Sequence, residues 1–137
     1  MRSIIELSSK YPADFKILIL VETEKEELFG IILPQMLEDT GEDKYIKLEK
    51  CYLINFLPKI NIYKDNNEII CKKMLCCNKK GLWFCKEQVG DLLFIDGTLD
   101  EGITNKKNTY FGNVNLTKKG NFLIKDFEII VLVENMI

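Results

Sequence analysis

The chain has 137 residues, 47% of them hydrophobic and 29% charged, with a formal net charge of −2. That is enough chain for one core, lies outside the disordered range, and excludes a protein that holds nucleic acid through bulk positive charge. No apolar run approaches the roughly 18 residues of a membrane span, and Glu6 interrupts the apolar residues after Arg2, so a single domain over residues 1–137 is expected, cytoplasmic or, in a eukaryote, nuclear.

From the N-terminus, apolar residues recur with period two or in short continuous runs rich in β-branched and aromatic side chains, the pattern of strands. Phe15 to Glu22 is the first such run, and Leu28 to Leu33 returns after the charged turn Thr23 to Glu27, which predicts a hairpin with Gly30 at a bend or bulge. Pro34 to Asp43 reads as a connection. Lys44 to Leu57 reads as one strand, with Tyr45, Lys47 and Glu49 opposed to Ile46, Leu48 and Lys50, ended by Pro58. A short edge strand at Ile60 to Lys64 and an Asn/Asp turn at Asp65 to Glu68 follow.

Residues Ile69 to Cys77 are expected to pair with Leu82 to Glu87 across Asn78-Lys79-Lys80-Gly81, where Asn first and Gly last suit a tight hairpin closure. Because adjacent strand residues face opposite ways, only one of Trp83 and Phe84 can point inward. The chain continues through Val89 to Gly102, Thr109 to Leu116 and the long run Asn121 to Met136, whose Ile129-Ile130-Val131 favours a strand over a helix. About eight short strands with little helix predict an all-β domain, a small barrel or a sandwich.

Charge is distributed unevenly. Residues 1–50 carry 7 basic against 11 acidic side chains, whereas residues 51–90 carry 7 against 3, with Lys pairs at 72-73, 79-80, 106-107 and 118-119. These pairs are either solvated loop tips or the elements of a local basic face.

Histidine is absent, which excludes Ser/His/Asp and Cys/His nucleophilic sites, and neither glycine-rich phosphate-loop pattern occurs. Five cysteines, Cys51, Cys71, Cys76, Cys77 and Cys85, without a leader predict reduced thiols. Cys71, Cys76, Cys77 and Cys85 could converge across a hairpin, but there is no CxxC pair, and free cysteine ordinarily packs as a small apolar side chain. The acid pairs Glu38-Asp39, Glu42-Asp43 and Asp100-Glu101 fall in expected surface turns. No cofactor, no metal site and no enzymatic activity are expected.

The stretch VGDLLFIDGTL, residues 89–99, is similar to a segment of OB-fold proteins of the single-stranded DNA-binding family, where Gly-Asp or Gly-Gln opens an alternating strand that ends in Gly-x-Leu. The resemblance covers residues 81–133 and implies an OB-like closed barrel of about five to eight strands, with Gly90 at a tight entry and Gly97 at a bend. It also implies binding of single-stranded nucleic acid by stacking on aromatics in a basic groove. The candidates for that face are Trp83 and Phe84 with Lys72, Lys79, Lys80 and Lys86, and Tyr63, Tyr110 and Phe111 with Lys106 and Lys107. The alternative is a protein-protein interaction module, either an OB-like subunit of a larger complex or a small phage- or immunity-type inhibitor of a protein target. It rests on the acidic first half and the apolar C-terminal run. Neither reading fixes the oligomeric state, and neither involves a membrane.

Overall fold

A long strand near the C-terminus organises the fold. In the computed structural model, which describes residues 4, 15–64, 71–87, 90–108 and 110–132, β11 (Asn121–Leu132) lies in the middle of a nine-stranded antiparallel sheet. Strands are numbered in chain order: β1 (Lys16–Thr23), β2 (Leu28–Leu33), β3 (Tyr52–Leu57), β4 (Asn61–Lys64), β5 (Leu75–Asn78), β6 (Gly81–Glu87), β7 (Gly90–Asp96) and β8 (Glu101–Thr104). The order across the sheet is β4-β3-β2-β1-β11-β8-β7-β6-β5, and β9 (Lys107–Asn108) with β10 (Gly112–Asn113) forms a separate two-stranded ribbon.

Two partners divide β11 between them. Its residues Ile124 and Asp126 to Leu132 pair with β1, and Asn121 to Leu123 pair with β8. The register with β1 shifts between Glu22 and Thr23, where Lys125 has no residue opposite it in the register, and such a bulge bends a strand. The buried faces of both halves then meet in one hydrophobic cluster. Ile17, Ile19, Val21, Phe29, Ile31 and Leu53 come from one half, and Leu82, Phe84, Leu93, Ile95 and Phe122 from the other. Phe29 and Phe122 touch edge to face at 5.6 Å between centroids.

The all-β expectation holds, but a closed barrel is not what the sheet forms. Among the described residues its terminal strands β4 and β5 do not pair with each other, so no closure is seen, and both halves contribute to one core. Gly97 accordingly has another physical reason. A Cβ there would lie 2.1 Å from the carbonyl oxygen of Lys79, and Gly97 N–H donates to Lys80 O at 2.9 Å. The residue has no side chain because the β5–β6 turn crosses it. Gly90 does enter β7 with a positive φ of 119°.

The β1–β2 hairpin forms where the pattern places it, and the second hairpin closes with Asn78 opposite Gly81, but its first strand, expected from Ile69, is β5 from Leu75 only; Ile69 and Ile70 lie outside the described residues. The strand expected over 44–57 begins only at Tyr52, because Asp43 and Lys50 take positive φ (55° and 60°) that interrupts extended backbone. Within 44–50 only Ile46 makes a bridge, to Leu75. The turn expected at Asp65 to Glu68 and the residues after Leu132 lie outside the described residues.

Candidate functional site

Three strands of the second half present two rows of side chains. Inward, Phe84 opposes Leu93, which opposes Thr104, and all three are buried. Outward, Trp83 opposes Phe94, which opposes Ile103, and Ile103 opposes Asn121 of β11. Period-two alternation thus sends Phe84 into the core and Trp83 to the surface. Trp83 and Phe94 are half-buried against each other at 5.1 Å between centroids, while Ile103 is 47% exposed and Leu123, two residues beyond Asn121, is 53% exposed.

Beside this row lies a groove of about 610 Å³. Phe94, Ile103, Phe122 and Leu123 give it an apolar floor, and the β1–β2 turn and the 118–119 segment wall it in. The walls are fixed by hydrogen bonds. Glu27, almost fully buried, accepts from Thr23 Oγ1 at 2.9 Å and from Lys118 N–H at 2.6 Å, so one carboxylate ties the two walls together. Glu24 N–H donates to Leu123 O at 3.0 Å, and Thr104 N–H donates to Gly120 O at 2.7 Å. The rim carries both signs of charge, from Glu24, Lys25, Glu101, Lys118 and Lys119. An apolar floor with a mixed charged rim is the composition of a protein-protein contact.

The residues expected to hold a nucleic acid do not share a face. Tyr63 is in β4 at one end of the sheet, and its hydroxyl accepts from Asn115 N–H at 3.3 Å. Six strands separate it from Trp83 in β6. Phe84 is fully buried, and Phe111, also buried, packs on it at 5.7 Å, so neither offers a ring to a base. Tyr110 is half-buried next to Phe111. Lys80 is paired with Glu42 at 2.7 Å, and Lys86 lies over the ring of Tyr45 at 5.1 Å. Lys72, Lys79, Lys106 and Lys107 are exposed on separate connections and on the small ribbon.

Two other polar clusters stand out. Tyr45 Oη donates to Asp91 Oδ1 at 2.7 Å, and burial pushes the Asp91 carboxyl above its ordinary range despite that hydrogen bond. Cys71 and Cys85, both buried, lie 3.8 Å apart between sulfurs. The contact with Cys85 holds Cys71 below the usual thiol range, and the same contact together with burial pushes Cys85 up. Cys85 also hydrogen-bonds Asn108. Cys76 and Cys77 are not part of that pair; burial pushes Cys77 up to about 12. Among the described residues, no three His, Cys, Asp or Glu side chains are placed to hold a metal ion.

A family model described as the TLDc domain matches residues 2–133. The chain belongs to the TLDc domain family. The match runs through both halves of the sheet, whereas the likeness to OB-fold proteins rested on a handful of positions in residues 81–133. It overturns that likeness and the single-stranded DNA-binding assignment drawn from it. The physical source of the error is visible in the TLDc domain itself: a glycine that ends an alternating strand signals close backbone approach as readily as a barrel corner. No curated protein matches the chain.

The groove and its outer row are what sequence reasoning missed. The sequence marks Trp83, the charged turn Thr23 to Glu27 and the pairs Asp100-Glu101 and Lys118-Lys119 without linking them, and of that turn Glu27 bonds internally instead of presenting its carboxylate. Among the described residues no helix is long and apolar enough to cross a membrane.

Proposed function

We propose that this TLDc domain is a non-catalytic protein-interaction module that docks a partner on the outer face of β6, β7, β8 and the start of β11. The observation that carries this reading is the pair Ile103 and Leu123, half out in solvent beside the Trp83–Phe94 pair at the mouth of a groove with a charged rim. Burying such side chains contributes about 25 cal/mol per Å² of apolar surface removed from water, and a fixed groove loses little conformational freedom on binding. Membership of the TLDc family agrees with a protein partner and gives no support to a nucleic acid.

The test is site-specific photo-crosslinking in cells. A photoreactive side chain placed at Leu123 or at Ile103 is expected to give the same discrete adduct. The same group at Lys79, exposed on the β5–β6 turn, is expected to give none. Adducts that form equally from all three positions, or from none, would defeat the proposal. In the purified domain, Trp83 fluorescence is expected to stay unchanged on adding oligo-dT or oligo-U at low salt, and salt-sensitive quenching would count against it.

A further inference from the structure

The nine-stranded sheet has two ends, and the chain finishes them differently. At β5 the segment 40–46 is laid along the edge and bonds to it as a strand would. Ile46 N–H donates to Leu75 O at 2.7 Å, and Ile46 O accepts from Leu75 N–H at 3.1 Å. Thr40 N–H donates to Cys77 O at 2.8 Å, and its Oγ1 accepts from Cys77 N–H at 3.0 Å. At β4, among the described residues, no backbone group other than those of β3 bonds to Asn61–Lys64. A strand edge left in this state is a template for another chain, and proteins ordinarily blunt it.

Here the edge is shaped. Ile60 is 73% exposed and Ile62 56% exposed, with Leu57 exposed nearby. The inner side is held still, because Tyr63 Oη accepts from both Asn61 Nδ2 at 3.1 Å and Asn115 N–H at 3.3 Å. From Tyr52 to Lys64 the only charges are Lys59 and Lys64, both exposed.

We infer that β4 accepts an extended segment of a partner protein as a tenth strand, apolar where it lies beside Ile60 and Ile62 and acidic towards its ends, where it meets Lys59 and Lys64. Backbone bonding to the edge supplies affinity, Ile60 and Ile62 select apolar neighbours on the face they share with Lys64, and the lysines at the two ends select carboxylates. A second copy of this chain fits less well. It would set two hairpins side by side whose only charges between Tyr52 and Lys64 are lysines, and like charges across strands destabilise pairing. This surface is distinct from the groove, since β3, β2 and β1 separate β4 from β11.

The experiment uses three ten-residue peptides with Val and Ile at the central alternate positions and Glu, Thr or Lys at all the others, the ends included. The Glu peptide is expected to bind tightest and the Lys peptide weakest, by roughly 3- to 10-fold per step. Amide exchange should slow at residues 61–64. In a Lys59→Glu, Lys64→Glu variant, both substitutions being at exposed positions, the order should invert. An Ile103→Asp variant should bind the Glu peptide as the parent does, which keeps this result independent of the groove. Four results would overturn the inference: no peptide binds, the order is unchanged by the charge reversal, the slowed amides lie outside 61–64, or β4 is protected by concentration-dependent self-association instead.

Discussion

On β6, β7 and β8 the same backbone carries two rows one residue out of step, Phe84–Leu93–Thr104 inward and Trp83–Phe94–Ile103 outward. The inner row is indistinguishable from core anywhere else in the domain. The outer row is comparably apolar, yet no described residue covers it fully. Equal hydrophobicity on the two faces therefore serves different ends: one face holds the fold together, and the other is left for contact.

That contrast makes quantitative predictions. Phe84→Ala removes a fully buried ring that packs on Phe111 and should cost about 3–5 kcal/mol of stability by urea unfolding. A cost no larger than that of an outer-row change would erase the distinction. Glu27→Ala removes the acceptor shared by Thr23 and Lys118 and leaves the Lys118 N–H without its partner, so a loss of about 1–3 kcal/mol is expected. Faster amide exchange around residues 117–120 should accompany it, which would show that the groove walls depend on that carboxylate. Ile103→Asp, at an exposed position, should change stability by less than about 0.5 kcal/mol.

The smallest effect concerns Asp91, at the start of β7 and bonded to Tyr45. Burial raises its folded-state pKa above the ordinary 3.8, so the folded protein holds that proton more tightly than the unfolded chain does. Its contribution to stability is fully present below 3.8 and is lost as pH rises through the raised folded value. The stability of the parent relative to Asp91→Asn should fall across that window and then level off. Unfolding curves for both proteins over a pH series would show it, and a difference that grows with pH would contradict the burial argument.

Much of the fold was legible because local patterns decided it. The runs at residues 16–23 and 28–33, and the Asn78–Gly81 closure, carry their strand and turn signals within a few residues. Alternation alone settled that Trp83 and Phe84 part ways, though which one is buried depends on the whole sheet. Residues 44–50 show the limit. Their alternation is real, and Leu48 is buried, but the segment bridges the β5 edge through Ile46 instead of extending β3. The reason for Gly97 lay with Lys79 and Lys80, well away along the chain. The groove was less legible still, because its walls are joined by a bond between Glu27 and Lys118 across 91 positions of sequence. No short window contains that signal.

The most direct measurement is a paired one on the Ile103→Asp, Leu123→Asp double variant: its unfolding free energy, and its capture of the partner identified by crosslinking from position 123. The account predicts stability within about 1 kcal/mol of the parent with capture abolished. Stability lost on the scale of Phe84→Ala, or capture that survives both carboxylates, would contradict it.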